Sequence, residues 1–440
     1  MKKIVLRLLS IVIFAVIFIG CGEVWRYILV DDTNSYTRVA MHQLYHSDQN
    51  IDVLFIGSSH VYRSVVPEIM DAGLGEYTFN GGTSSQDMDG SLAVLKEAAA
   101  CHQLKQVYLE LYYDMAGNNH DQRTQLTDTY IISDYMKPSL NRIHYLLQAG
   151  SKEHWVNSFI LARRNWSDFF DSDYVRELVE KKSQASYKNY EWIRREDQVE
   201  YYVDRGFVAN ESVIQEGNFW NKKAYGNIDK DYEKLVATDW YKSLKDIVKY
   251  CDDHNIELTF FVAPEPEWTL AGKEDYGVYY SAISEISEEL NVELWDFNLI
   301  KSEYFDTMDR TLFMDEDHLN KNGAMAFSTL LSKVAAGKLS SKDIFYDSYD
   351  DKIKEEGICF YGIAGPYDNA NIKNCRIITG KKDQMEFCVI ATPDEKDQYV
   401  VQDFSTNLSF DLALEEHGIL TIVGRKIEDI DSVQTFEFEY

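Results

Sequence analysis

The chain has 440 residues and carries 44 Lys+Arg against 73 Asp+Glu, a formal charge of −29. At roughly 100 to 200 residues per domain this length calls for two to four domains, and 45% hydrophobic with 14% aromatic residues excludes a globally disordered chain. The acidic balance argues against nucleic acid as a partner, because such a surface repels phosphate backbones and gains nothing from counterion release.

At the N-terminus Lys2, Lys3 and Arg7 precede the apolar stretch from Leu8 to Gly22, which resumes after Glu23 with Trp25, Tyr27, Ile28, Leu29 and Val30. Basic residues on the inner side and aromatics at the interface describe a single-pass signal anchor that leaves the bulk of the chain extracytoplasmic. The uninterrupted run is about 15 residues, short of the ~20 that span hydrocarbon, so a cleaved signal peptide is the competing reading. Phe18-Ile19-Gly20-Cys21 also resembles a weak lipobox, which would make Cys21 a lipidated residue. Cys21, Cys101, Cys251, Cys359, Cys375 and Cys388 form no CxxC pair, so neither structural zinc nor a disulfide framework is indicated. One bridge among the last three and buried thiols are equally open.

Tyr36 to Tyr45 has helical apolar spacing, and the run from Ile51 to Ile56 reads as a buried strand ending in Gly57-Ser58-Ser59-His60. An Ala-rich helix from Leu92 to Cys101 and a strand from Gln106 to Leu111 follow. The rhythm resumes with a helix over Trp240 to Cys251 and a strand over Ile256 to Ala263. A helix from Tyr279 to Leu290, a strand from Val292 to Phe297 and a helix from Gly323 to Val334 complete it. Such alternation predicts a three-layer α/β/α, flavodoxin-like parallel sheet, formed by residues 31–117 and 233–338, with its ligand crevice at the strand C-termini. Residues 118–232 read as a mostly helical insertion, for example over Asp173 to Lys182. This insertion either caps the domain or forms a lid in which Trp155, Arg163, Arg164 and Trp166 contact substrate. Residues 341–440 give short alternating strands such as Cys375 to Thr379, Glu386 to Ala391 and Gly418 to Val423, a small all-β domain.

Ser59 follows a buried strand, and Gly57 lets the chain turn sharply enough to expose the next hydroxyl. A serine in such a turn is more often a helix N-cap. The second half is Asp315-Glu316-Asp317-His318-Leu319-Asn320, in which Asp and His three positions apart project from one turn. Asp315 is then able to orient Nδ1 of His318 while Nε2 faces Ser59. The chain order is Ser, Asp, His, and the absence of GxSxG disfavours an α/β-hydrolase elbow. Asp306, Asp309, Asp315 and Asp317 lack the spacing of a calcium loop, and histidines lack zinc spacing, so neither a metal nor a cofactor is expected.

Ile56-Gly57-Ser58-Ser59 resembles the first block of the SGNH (GDSL-type) hydrolases, and Asp315-x-x-His318-Leu319-Asn320 with Gly323 resembles their last block. The likeness runs over roughly residues 50 to 335. The anchor, the Gly-Ser-Ser form and the long insertion resemble the membrane-anchored branch that acylates or deacylates envelope polymers, DltD-like or alginate acetyltransferase-like. The resemblance implies Ser59 as nucleophile, His318 as base and Asp315 as its partner. It further implies cell-surface polysaccharide as substrate and a multi-spanning O-acyltransferase as partner. The second block, Phe79 to Gln86, offers Asn80, Gly82 and Ser85, with Gly82 or Ser85 joining the Ser59 amide in an oxyanion hole. Where the family has Gly-x-Asn-Asp this chain has Leu111-Tyr112-Tyr113-Asp114, leaving Tyr113 or His60 as substitute donors. His60 and Asn80 also count as substrate-binding candidates. The rival expectation is a non-catalytic glycan-binding envelope protein on a degenerate hydrolase scaffold.

Overall fold

In a computed structural model of the protein, the described residues are 2–123, 126–150, 154–159, 170–214, 230–273, 276–356, 362–369, 372–379, 384–394, 397–413 and 417–439. In chain order the first strands are β1 (Val53–Ile56), β2 (Thr78–Asn80) and β3 (Gln106–Glu110). A hairpin follows, β4 (Glu200–Asp204) and β5 (Phe207–Asn210), and then β6 (Glu257–Val262) and β7 (Glu293–Asp296). Five of them form a parallel sheet in the order β2-β1-β3-β6-β7. This is the doubly wound, flavodoxin-like order, whose ligand crevice lies beyond the strand C-termini.

The helices are α1 (Lys2–Leu29), α2 (Tyr36–His46), α3 (Ser59–Ser64), α4 (Pro67–Leu74), α5 (Met88–Cys101), α6 (Thr127–Ser133), α7 (Leu140–Ala149), α8 (Trp155–Phe159), α9 (Ser172–Ser183) and α10 (Ala185–Lys188). After the hairpin come α11 (Tyr232–Val236), α12 (Asp239–His254), α13 (Glu267–Gly272), α14 (Tyr276–Leu290) and α15 (Lys321–Ala335). Alternation along the strands divides their side chains between two cores. Leu54, Ile56, Leu109 and Phe260 pack with Leu95, Leu244 and Ile283 from α5, α12 and α14. Phe55, Tyr108, Phe261 and Trp295 pack with Val61, Met70, Phe327 and Leu331 from α3, α4 and α15. The pattern explains α12 well: Trp240, Leu244, Ile247 and Cys251 share its buried face, Thr238 caps its first turn, and Asn255 ends it at φ 56°.

The N-terminal helix is longer than the apolar run suggested, since Gly20, Cys21 and Gly22 do not interrupt it. Its 28 residues extend about 42 Å at ~1.5 Å per residue. Among the described residues it is the one helix long and apolar enough to cross a membrane. Side chains from Ile4 to Phe18 stand exposed, whereas Leu29 is buried.

The insertion is helical only in part, and its pieces go to three places. Helices α6 to α8 lie outside α5, where Asn141 donates to the Ala93 carbonyl and the Glu97 carboxylate, and Arg123 holds Asp87 and Asp89. Helices α9 and α10 reach the end of α1. Tyr174 donates to the Leu29 carbonyl at 3.1 Å, and the buried Asp32 receives Lys182 at 2.8 Å and the Tyr187 hydroxyl at 3.0 Å. The hairpin β4–β5, which composition did not reveal, presses against α3 and the end of β2. Asn80 donates its amide to the Arg205 carbonyl at 3.0 Å, and Gly206, at φ +89°, approaches so closely that a Cβ would sit 1.7 Å from the Asn80 oxygen.

A separate antiparallel β domain closes the chain. Strands β8 (Gly362–Asn369), β9 (Ile372–Ile378) and β12 (Ser409–Ala413) form one sheet. The other comprises β10 (Met385–Pro393), β11 (Tyr399–Ser405), β13 (Gly418–Lys426) and β14 (Asp429–Glu439). Its own core sets Ile377, Phe410 and Leu412 against Phe387, Val389, Leu420 and Ile422. Cys251 and Cys388 are buried thiols outside any disulfide, and Cys359 lies outside the described residues.

Candidate active site

Ser59 opens α3 directly beyond β1, with Ser58 as the N-cap. Gly57 stands at φ +152°, and a Cβ there would meet the Glu110 Cβ at 2.5 Å and Val61 at 2.7 Å, so both the backbone angle and the space demand glycine. The loop after β2 zips against this turn, since Gly81 donates to the Phe55 carbonyl at 2.7 Å and Thr83 to the Gly57 carbonyl at 3.2 Å.

His318 arrives on the loop between β7 and α15. Its Nε2 lies 2.8 Å from the Ser59 hydroxyl, and its Nδ1 lies 3.0 and 3.1 Å from the two Asp315 oxygens. The turn from which Asp315 and His318 project is not helical. It is an Asx turn, in which one Asp315 oxygen also accepts the amides of Asp317 at 2.9 Å and His318 at 2.8 Å. Burial works to raise the Asp315 carboxyl, but the bonds from His318 and the two amides outweigh it and hold the group below the usual carboxylate range. The next residue pair completes the support: Asn320 caps α15 through Gly323 and donates to the Thr311 carbonyl.

The expected oxyanion donors separate. The Ser59 amide has no acceptor among the described residues, as a first-turn helical N–H should. Ser85 is exposed on its loop at φ 51°. Gly82 is a correction, because its amide is already bonded to the Asn80 side-chain oxygen at 3.1 Å. Tyr113 is a second correction: it is buried in the core against Tyr276 and Tyr279, since after Glu110 the chain turns its side chain away from the crevice. Tyr112 lies toward the site instead, its ring 4.0 Å from that of His60, which in turn stands 4.6 Å from His318, while its hydroxyl donates to Asp114.

The substrate-binding candidates fare differently. His60 sits at the site but is buried at 3% exposure. Burial, then the charges of His318, Lys273 and Arg63, hold it well below the ordinary histidine range, so it is neutral packing behind His318. Asn80 is fully buried, and its amide group is spent on the carbonyls of Val61 and Val65 at 2.8 Å each, a brace that fixes α3. Trp155 donates to the Gly150 carbonyl within the helical layer outside α5. Arg163, Arg164 and Trp166 lie outside the described residues.

Several contributors escaped sequence reasoning. Arg63, one turn beyond Ser59, pairs with Glu200 of the hairpin at 2.7 Å and contacts the Met314 sulfur of the histidine loop at 3.4 Å. A buried Lys273–Glu265 ion pair follows β6. Glu110 ends β3 beside the Gly57–Ser59 turn, and the signal for it was a lone acid inside the apolar run from Val107 to Leu111. A cavity of about 190 Å³ lies beside the β2 loop, lined among others by Tyr36, Tyr62, Gly82, Ser84 and Val208. No group of acidic, histidine or cysteine residues suited to a metal occurs among the described residues.

No family model matches the chain, and no curated protein matches it. Among solved structures, "a putative platelet activating factor from Streptococcus pneumonia" is 13% identical over 72% of this chain and 96% of that one, with a TM-score of 0.32. A Cellulomonas fimi endo-beta-1,4-mannanase double mutant is 10% identical over 94% of this chain and 98% of that one, with a TM-score of 0.17.

Proposed function

We propose that this chain is an extracytoplasmic serine esterase or O-acyltransferase acting on cell-surface polysaccharide through an acyl-enzyme. The observation that carries the reading is the Ser59–His318–Asp315 relay, with 2.8 Å between hydroxyl and imidazole. In the proposed reaction the Ser59 oxygen attacks an acyl carbonyl while His318 takes the hydroxyl proton. The Ser59 amide and the Ser85 loop face the oxyanion, and His318 then protonates the departing alcohol. A second alcohol, or water, reverses these steps to release the acyl group. Exclusion of water separates transfer from hydrolysis. The N-terminal helix supports a membrane-held enzyme, and the resemblance of the nucleophile and histidine blocks to membrane-anchored envelope acyltransferases supports the polymer substrate and a multi-spanning partner.

One observation favours the rival, non-catalytic glycan-binding reading: the committed Gly82 amide and the core position of Tyr113 leave few donors for an oxyanion. Loss of one donor typically costs ~2.7 to 4 kcal/mol in the transition state. A fluorophosphonate probe separates the two readings. The enzyme reading expects covalent labelling of the wild type and none of Ser59→Ala, whereas folded wild type that stays unlabelled favours the binder.

A further inference from the structure

Glu110 has no part in the relay, yet it grips the residue next to the nucleophile. It ends β3 on the face shared with Tyr108, and it is 2% exposed. One of its oxygens accepts both the amide of Ser58 at 2.7 Å and the Ser58 hydroxyl at 2.8 Å. Its other oxygen is buried without a hydrogen bond among the described residues. Gly57 makes the approach possible, since a Cβ at that position would lie 2.6 Å from the gripping oxygen. Two bonds to one residue fix more than a distance. The amide bond sets where the chain leaves β1, and the hydroxyl bond sets the rotamer of Ser58, whose oxygen then accepts the His60 amide at 3.3 Å.

Resting on the acyl-enzyme reading, we infer that Glu110 is a positioning residue: by clamping Ser58 from the neighbouring strand it aims Ser59 at His318, and as an anion it favours the protonated imidazole of the working base. Burial pushes its carboxyl up to about 7, opposed by the two Ser58 bonds and by His318. Tyr279, from α14, also faces it electrostatically. The clamp therefore gains its charge within the range where a histidine base operates.

The test uses the full chain in detergent and measures the fluorophosphonate labelling rate constant from pH 5 to 9 for wild type, Ser59→Ala, Glu110→Gln and Glu110→Ala. Glutamine keeps an acceptor for Ser58 but no charge. Expected are a Glu110→Gln plateau within about threefold of wild type with its acid limb displaced to lower pH, because less negative charge disfavours the imidazolium. Glu110→Ala should be slowed about 30-fold or more with reagent affinity unchanged, a misaimed nucleophile rather than a lost binding site. Folded Glu110→Ala reacting at the wild-type rate overturns the clamp. Should that variant not fold, a Glu110→Gln acid limb coincident with that of wild type overturns it instead. Wild type that labels only when Ser59 is present confines either result to Glu110, whereas unlabelled wild type removes the acyl-enzyme reading and this inference together.

Discussion

The Ser59 hydroxyl and His318 Nε2 stand 2.8 Å apart although 259 positions separate the residues. Each side of the meeting is held by its own backbone. Ser59 is fixed by the Gly57 turn and by the bonds from the β2 loop to Phe55 and Gly57. The histidine loop is closed by Met314 donating to the His318 carbonyl at 3.0 Å and Asn320 to the Leu312 carbonyl at 2.9 Å, and Thr269 tethers the Glu316 carbonyl. Asp315 is held by two backbone amides as well as by the imidazole, so the ring is oriented by the chain itself.

Asp315→Asn keeps an acceptor for those amides and removes the anion opposite Nδ1, presenting an NH₂ group that disfavours the needed tautomer. The labelling rate constant should fall about 10³- to 10⁴-fold with little change in thermal midpoint. A loss under tenfold would show that Asp315 does not orient the base.

Gly57→Ala meets the Glu110 side chain and Val61, and should destabilise the fold by roughly 2 to 4 kcal/mol through strain and overpacking. Gly206→Ala faces backbone instead, the Asn80 carbonyl, and should lift the hairpin. Hydrogen exchange at the Asn80 amide, which donates to Arg205, should accelerate in that variant; unchanged protection would contradict the contact.

The pH dependence of stability has a definite sign. The Glu110 carboxyl is pushed up to about 7 in the folded chain, above the ~4.3 of an unfolded glutamate. The native state therefore binds more protons between these values. The stabilisation is complete below the unfolded value and lost as pH rises through about 7. Urea unfolding of Glu110→Gln against wild type should thus favour the variant by about 3 kcal/mol more at pH 8.5 than at pH 4. An offset independent of pH would refute the buried titration.

Asp32→Asn removes the anion 2.8 Å from Lys182, which is buried at 0% exposure, and breaking such a pair typically costs ~3 to 5 kcal/mol. Adding Lys182→Met should recover part of the loss in thermal melts. Lys249→Met, which removes an exposed pair with Asp253, should change stability by under about 1 kcal/mol. Equal effects at the two sites would deny the burial its weight.

The parallel sheet was legible because β1, β3 and β6 are buried on both faces and so read as apolar runs. The two halves of the relay were legible because each has a local signature, a strand-ending turn and a DxxH. Strand β2 was legible only as a strand end at Phe79-Asn80, because Thr78–Asn80 is too short to make a run of its own, and the hairpin hid inside a helix-like composition. Asn80 and His60 were read as substrate-binding candidates, but both are buried through tertiary contacts that no local pattern shows: α3 supplies the carbonyls for one, and Tyr112 packs against the other. Glu110 was visible as an acid in an apolar strand, yet its partner Ser58 is 52 positions away, and no local pattern joins them.

The arrangement of Arg205 has a bearing on solubility. β2 is a margin of the sheet, and an open margin invites strands from other molecules. Here Thr78 donates its amide to Asp71 at 2.7 Å, its carbonyl receives the Arg205 guanidinium at 3.0 Å, and the Asn80 amide is taken by the Arg205 carbonyl. The hairpin tip thus leaves this border without the row of vacant donors and acceptors on which a second copy would polymerise, whatever chemistry the neighbouring crevice performs.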